Sequence, residues 1–137
     1  SISETIRRLT NPPINVPENL LTAVNLNVVM FRDRRRGIRR VYQIGEYEVS
    51  EEGKGVRQNI LYRWRAADDK IIPHSTSIRL FDELSSLTGM SHQEIIKDLE
   101  TKQKILSWMV KNNIRQIDSV GEIFNKYYIN PDNVFKK

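Results

Sequence analysis

The spacing of apolar residues changes period between residues 73 and 77, and that change restricts the fold more than any other feature of the sequence. Before it, apolar and polar residues alternate in short runs separated by turn residues, as strands require. After it, apolar residues recur every three or four positions, as amphipathic helices require. Strands followed by helices place the chain in the α+β or α/β class. A boundary near Pro73 separates residues 1–75 from a helical subdomain over 76–137.

The strand block opens with Leu26 to Phe31, an apolar run suited to a buried strand. A basic turn containing Gly37 follows, and Ile38 to Val49 alternates again. The two runs predict a β-hairpin with arginines at its tip. Glu51-Glu52-Gly53-Lys54-Gly55 predicts a polar loop. Gln58 to Ala66 predicts a third strand with Ile60, Tyr62 and Trp64 on one face. Ala67-Asp68-Asp69 reads as a tight turn before a short strand, Lys70-Ile71-Ile72.

Ahead of the strands, Ile2, Ile6 and Leu9 share one face of a short helix over Ser1 to Thr10, which Pro12-Pro13 stops. Pro17 opens a second short helix with Leu20, Leu21 and Val24 as its apolar side. In the helical part, Ser77 can cap a helix that turns Leu80, Phe81, Leu84 and Leu87 inward, ending at Gly89. Ser91-His92-Gln93-Glu94 is a capping box, and the helix after it buries Ile95, Leu99, Leu106, Met109 and Val110. Asn112-Asn113 ends that helix. Ser119 to Glu122 matches a second capping box, with Ile117, Val120, Ile123, Phe124 and Tyr127 facing one way. A short basic tail follows Pro131.

The chain has 137 residues, enough for one domain or one domain with an appendage. It has no cysteine, which removes disulfides, thiolate metal sites and cysteine nucleophiles. Its most apolar stretch, Leu20 to Phe31, is broken by Thr22, Asn25 and Asn27 and falls short of the roughly 20 apolar residues of a membrane span. The first ten residues carry no apolar signal-peptide run. The sequence begins at Ser1 rather than at a methionine, as a piece of a longer protein would.

The formal net charge is +5, and residues 32–40 account for all of it, with six arginines against one aspartate. Arg34, Arg35, Arg36, Arg39 and Arg40 are the interaction candidates, because guanidinium forks grip phosphates and carboxylates in pairs of hydrogen bonds. A solvated hairpin whose charge protects an exposed edge is the alternative, and both stay open. Gly53-Lys54-Gly55 lacks the upstream glycine and the Ser or Thr of a phosphate loop, so a solvated turn is expected there. His74 and His92 have no metal-ligand spacing around them and are expected in structural or surface roles. Asp68-Asp69 is a turn rather than a catalytic pair, and no serine sits in a Gly-x-Ser-x-Gly elbow. Trp64 and Trp108 are expected in cores. No catalytic residue, cofactor site or metal site is expected within this chain.

Ser3-Glu4-Thr5-Ile6-Arg7-Arg8-Leu9-Thr10-Asn11-Pro12-Pro13-Ile14-Asn15-Val16-Pro17 resembles a segment of the type II and type IV secretion-system ATPases. Within them it is most similar to the archaeal branch that serves archaellum and type IV pilus assembly. Gly37-Ile38-Arg39-Arg40-Val41, Ile44-Gly45-Glu46, Gly89-Met90-Ser91, Asp98-Leu99-Glu100 to Val110, Asn113-Ile114 and Val120 to Tyr128 continue the resemblance in order. The Ala-Ile-Arg-Asn-Leu-Ile-Arg-Glu stretch of bacterial pilus-retraction relatives is missing, and so is the four-cysteine zinc module of many bacterial type II ATPases.

The resemblance implies a hexameric parent that binds ATP and magnesium between subunits. It would act in the cytoplasm at the inner face of the membrane and drive an inner-membrane platform protein. The phosphate loop, aspartate box, Walker B strand and histidine box would all precede Ser1. Residues 1–75 would then supply edge strands and β-hairpins that complete a RecA-like sheet, and 76–137 a C-terminal helical subdomain. The partners would be the upstream part of the same ATPase, its copies and the platform protein, with no nucleic acid and no metal. The family's activating arginines lie elsewhere, so none is carried over. A stand-alone basic nucleic-acid-binding module and a protein adaptor are the alternatives.

Overall fold

A computed structural model describes residues 1–50, 55–131 and 134. Residues 51–54 of the expected polar loop, and all of the expected basic tail except Val134, lie outside the described residues. The chain forms two compact units, Ser1–Thr88 and Gly89–Lys137. The division falls at the end of a helix, beyond the Pro73 region where the sequence suggests one.

The first unit begins with α1 (Ile2–Thr10) and a 3-10 helix (Glu18–Ala23). Strands β1 (Asn27–Asp33), β2 (Ile38–Val49), β3 (Val56–Arg65) and β4 (Lys70–Pro73) follow, and then α2 (Leu80–Thr88). The four strands form one antiparallel sheet in the order β1-β2-β3-β4. The class is therefore α+β.

The sheet carries two bulges. Val29 faces Gln43 while Met30 faces Val41, so Tyr42 is an extra residue on β2. Ile44 faces Tyr62 while Gly45 faces Ile60, so Leu61 is an extra residue on β3. The second bulge breaks the alternation expected of Ile60, Tyr62 and Trp64. Ile60 packs on the core, Leu61 is buried, and Tyr62 is exposed. The carbonyl of Leu61 instead accepts the His74 amide at 2.8 Å. β1, expected to be buried, is an edge strand that buries one face alone: Val29 packs on the core, while Val28 and Met30 on the other face are exposed.

β2 is covered on both sides from Gly45 to Glu48. On one side α1 comes so close that a Cβ on Gly45 would lie 2.5 Å from Ile2 Cδ1 and 2.7 Å from the Asn59 carbonyl oxygen. Only glycine fits there. The Ile2 amide donates to Gln43 Oε1 at 3.2 Å, and Ile2, Leu21 and Tyr47 form the buried centre. In the 3-10 helix the period of three puts Glu18 and Leu21 on one side. Leu21 is buried and Glu18 Oε1 accepts the Val56 amide at 3.0 Å, whereas Leu20 and Val24 point outward, against expectation.

On the other side of β2 stands Glu46, only 1% exposed. Oε1 accepts from Asn59 Nδ2 at 2.9 Å and from the Ile78 amide at 2.6 Å. Oε2 accepts from Ser77 Oγ and the Leu80 amide, both at 3.0 Å. A helix start leaves amides without partners, and here a carboxylate from the sheet satisfies them. Burial by itself would raise the Glu46 carboxyl, but these donors outweigh it and hold it below its ordinary value. Ser77, expected as a cap, accepts a long bond from the Phe81 amide at 3.4 Å while serving Glu46. α2 ends at Gly89 with φ +73°, as expected, and Phe81 and Leu84 are half-buried. Leu87, expected inside, is exposed.

The second unit consists of α3 (His92–Lys111) and α4 (Ile117–Ile129). The Ser91/Glu94 capping box is present with both of its bonds. The inward face of α3 is not the stripe expected. Ile95, Ile105 and Met109 are buried, while Leu99, Leu106 and Val110 are exposed. The face runs Ile95, Asp98, Lys102, Ile105, Met109, and its two polar members hide it from a count of apolar residues. Asp98 accepts the Tyr127 hydroxyl of α4 and pairs with Lys102 Nζ at 2.7 Å. Burial and the Asp98 bond push the Tyr127 hydroxyl up to about 12.

α3 stops in a Schellman turn. Asn113 takes φ +55°, its amide donates to the Val110 carbonyl at 3.1 Å, and the Ile114 amide donates to the Met109 carbonyl at 2.9 Å. Ile114 thereby reaches the core of Ile105, Met109, Tyr127 and Val134 at once, and the next helix resumes at Ile117 behind Gln116. Ser119 consequently lies inside the first turn of α4 and is not its cap, and Ile117 is exposed. Val120, Ile123, Phe124 and Trp108 pack around the core.

Two outcomes follow from this packing. Ile105→Ala should lower the unfolding free energy by about 2–5 kcal/mol and Leu106→Ala by about 1 kcal/mol or less, read by denaturant melts. Equal losses would place Leu106 inside instead. Glu46 titrates lower in the folded than in the unfolded chain. Its contribution is complete above the ordinary carboxylate range and is lost as pH falls through the depressed folded value. Thermal midpoints of Glu46→Gln measured from pH 7 to pH 3 should therefore fall less steeply on acidification than those of the parent. Parallel curves would show that Glu46 carries no such linkage.

Candidate functional site

The arginine candidates lie at one end of the sheet. Arg34–Gly37 turn the chain from β1 into β2, and Gly37 takes φ +65°. Asp33 builds the turn: its Oδ1 accepts the Arg35 amide at 2.9 Å and the Arg36 amide at 3.2 Å. Its Oδ2 lies 3.8 Å from Arg36 Nε. Because the strands form a meander, the β3–β4 turn lies at the same end.

That second turn supplies carboxylates. Arg40 grips Asp69 with both prongs, Nε to Oδ1 and Nη2 to Oδ2, each at 2.6 Å. Trp64 Nε1 donates to the same Oδ1 at 2.9 Å. The Arg40 and Trp64 bonds hold the Asp69 carboxyl down to about 2. Arg65 forms a second fork on Asp68, at 2.7 and 2.6 Å, which keeps that carboxyl low as well. Trp64 is not a core residue as expected. It is half-buried, and its ring stacks on Phe31 at 5.2 Å, which in turn lies 6.5 Å from Tyr42.

The five candidate arginines thus separate. Arg40 is committed to Asp69 and Arg36 sits beside Asp33. Arg34, Arg35 and Arg39 have no carboxylate partner among the described residues. Arg32, not a candidate from the sequence, joins them, for the register sets it directly opposite Arg39. Arg32, Arg34 and Arg39 line a cavity of about 190 Å³ together with Asp33, Gly37 and Ile38. Counting outward from the turn, Asp33 pairs with Ile38 and Arg32 with Arg39, so the turn length was the signal for Arg32.

His74 is exposed beside Ser75 Oγ, and His92 is exposed in the first turn of α3. Among the described residues, no group of three or more His, Asp or Glu side chains is placed to hold a metal ion. No described helix is long and apolar enough to cross a membrane.

No protein-family model matches the chain. The chain is similar to an uncharacterized protein of Methanocaldococcus jannaschii, with 33% identity over 140 positions that cover 99% of this chain and 19% of that protein. It thus spans about a fifth of the length of the curated relative that it matches.

If the bidentate pair sets the Asp69 titration, Arg40→Gln should move that carboxyl back toward its ordinary 3.8. A carbon-detected NMR titration reads the shift, and an unmoved value would break the assignment.

Proposed function

We propose that the chain is the C-terminal region of an archaeal-type secretion or pilus-assembly motor ATPase. In this reading it has scaffold and subunit-interface roles and no nucleotide motifs of its own. The observation that carries the proposal is the Arg8-to-Pro17 stretch. It leaves α1, passes the two prolines and returns so that the Val16 amide donates to the Leu9 carbonyl at 2.8 Å. Both residues pack on the core that seats α1 against β2. A stretch that anchors a helix to a sheet in this way suits a scaffold role.

The β-hairpins would complete a RecA-like sheet, and α3 and α4 would form a C-terminal helical subdomain. ATP and magnesium would bind in the upstream part, between the subunits of a hexamer. Motion would pass to an inner-membrane platform protein from the cytoplasmic side. The match to part of a much longer archaeal protein favours reading the chain as a segment of a larger one.

The deciding experiment is to sequence the coding DNA upstream of the Ser1 codon. A Gly-x-x-x-x-Gly-Lys-Ser/Thr loop, an acidic strand and a histidine box in frame are expected. A start codon directly before Ser1 would overturn the reading. The purified chain should also show no magnesium-dependent ATP turnover above background.

The unpaired arginines favour a second reading, a basic nucleic-acid-binding or adaptor module. Salt-sensitive binding of a labelled duplex or single strand by fluorescence anisotropy would support it. Absence of binding at about 50 μM would remove its nucleic-acid form.

A further inference from the structure

The tip of the β1–β2 hairpin combines three observations that a solvated charged turn does not require. The first is placement. Arg32 and Arg39 are cross-strand partners, and like charges directly opposite on an antiparallel pair destabilise it. The second is that the nearby carboxylates are already engaged. Asp33 Oδ1 holds the Arg35 and Arg36 amides, Asp69 is gripped by Arg40 and Trp64, and Asp68 is gripped by Arg65. Asp33 is the one carboxylate in the wall of the adjoining cavity, and its Oδ2 lies 3.8 Å from Arg36 Nε. The third is shape. Arg32, Arg39 and Arg34 border a single cavity of about 190 Å³, which sets three arginines against one aspartate, Asp33, in its wall.

We propose that this cavity is an oxyanion site that takes a phosphate group, with Arg32, Arg34 and Arg39 as its ligands. It goes beyond the motor reading and does not depend on it. Phosphate fits better than a carboxylate for a reason of geometry. Three arginines that border one space can offer more donors than the two oxygens of a carboxylate accept, whereas a tetrahedral phosphate presents oxygens in three directions and up to two charges. A bound phosphate also removes the repulsion between Arg32 and Arg39. Arg36 and Arg40 are not ligands, since each already faces a carboxylate.

The test uses the whole chain with sodium phosphate and pyrophosphate as probes, at an ionic strength held constant with chloride because exposed charges are screened by salt. Amide shifts of residues 32–39 in nitrogen–proton spectra should move and saturate, and the thermal midpoint should rise with phosphate, since a ligand of the folded state stabilises it. Arg32→Gln and Arg39→Gln should each weaken binding by about tenfold or more, and Arg7→Gln, a charge control on α1, should not. In chloride alone the two hairpin variants should melt at or above the parent midpoint, which shows that they fold.

No saturable shift up to about 20 mM phosphate would overturn the site. So would an equal loss in Arg7→Gln, or citrate binding as tightly as pyrophosphate with the same sensitivity to the variants. Parallel titrations with a duplex DNA and with vesicles of phosphatidylglycerol identify the carrier of the phosphate. The arm that Arg39→Gln weakens names it, and weakening of free phosphate alone assigns a small ion. Binding of any probe that persists in both hairpin variants overturns the proposal.

Discussion

Glu46 presents two carboxylate oxygens inside the sheet unit, and both are occupied by donors from three places in the chain. Asn59 comes from β3, Ser77 from the connection after β4, and the Ile78 and Leu80 amides from the entry to α2. Asn59 also donates to the Thr76 carbonyl at 2.8 Å, so the same knot ties the connection to the sheet. Burying a carboxylate is costly unless donors satisfy its oxygens. That requirement fixes where the chain must pass after β4 and where the next helix must begin. It also accounts for α2 belonging to the strand unit although its sequence reads with the other helices.

Gly45, the residue before Glu46, does the opposite work on the other face. It lacks a side chain, and that absence lets Ile2 rest on the strand. Two adjacent residues of β2 therefore admit a helix on one face by bulk removed and on the other by charge supplied. Beyond this covered centre, β2 runs out to the arginine turn, where the side chains are exposed and ion pairs are individually weak. The Arg40–Asp69 fork still matters there for geometry, since it ties β2 to the β3–β4 turn and decides which arginines stay uncommitted.

Local signals in the sequence were reliable where a short-range contact decides the outcome. The Ser91 capping box, the stop at Asn112-Asn113 and the turn at Asp68-Asp69 need only neighbouring residues, and all three were legible. The inward face of α3 was not. A helix can turn Asp98 and Lys102 inward, half-buried, when a tyrosine hydroxyl on another helix partners the carboxylate, and that tyrosine lies far along the chain. The face of β3 was missed because one extra residue at Leu61 shifts the register, and no local pattern announces a bulge. At the candidate site the arginines were plain, but their sorting into engaged and free was not. Asp69 is distant in sequence and becomes the partner of Arg40 only when the meander brings two turns to one end.

The sequence by itself determined the element types, their order and the concentration of charge in residues 32–40, because these depend on residue type and spacing within a few positions. The tertiary structure decided which faces are covered, how Glu46 is satisfied and which arginines border an open space. Those outcomes depend on donors, acceptors and close approaches between residues tens of positions apart. Spacing cannot encode such contacts, since they exist only once the strands are in register.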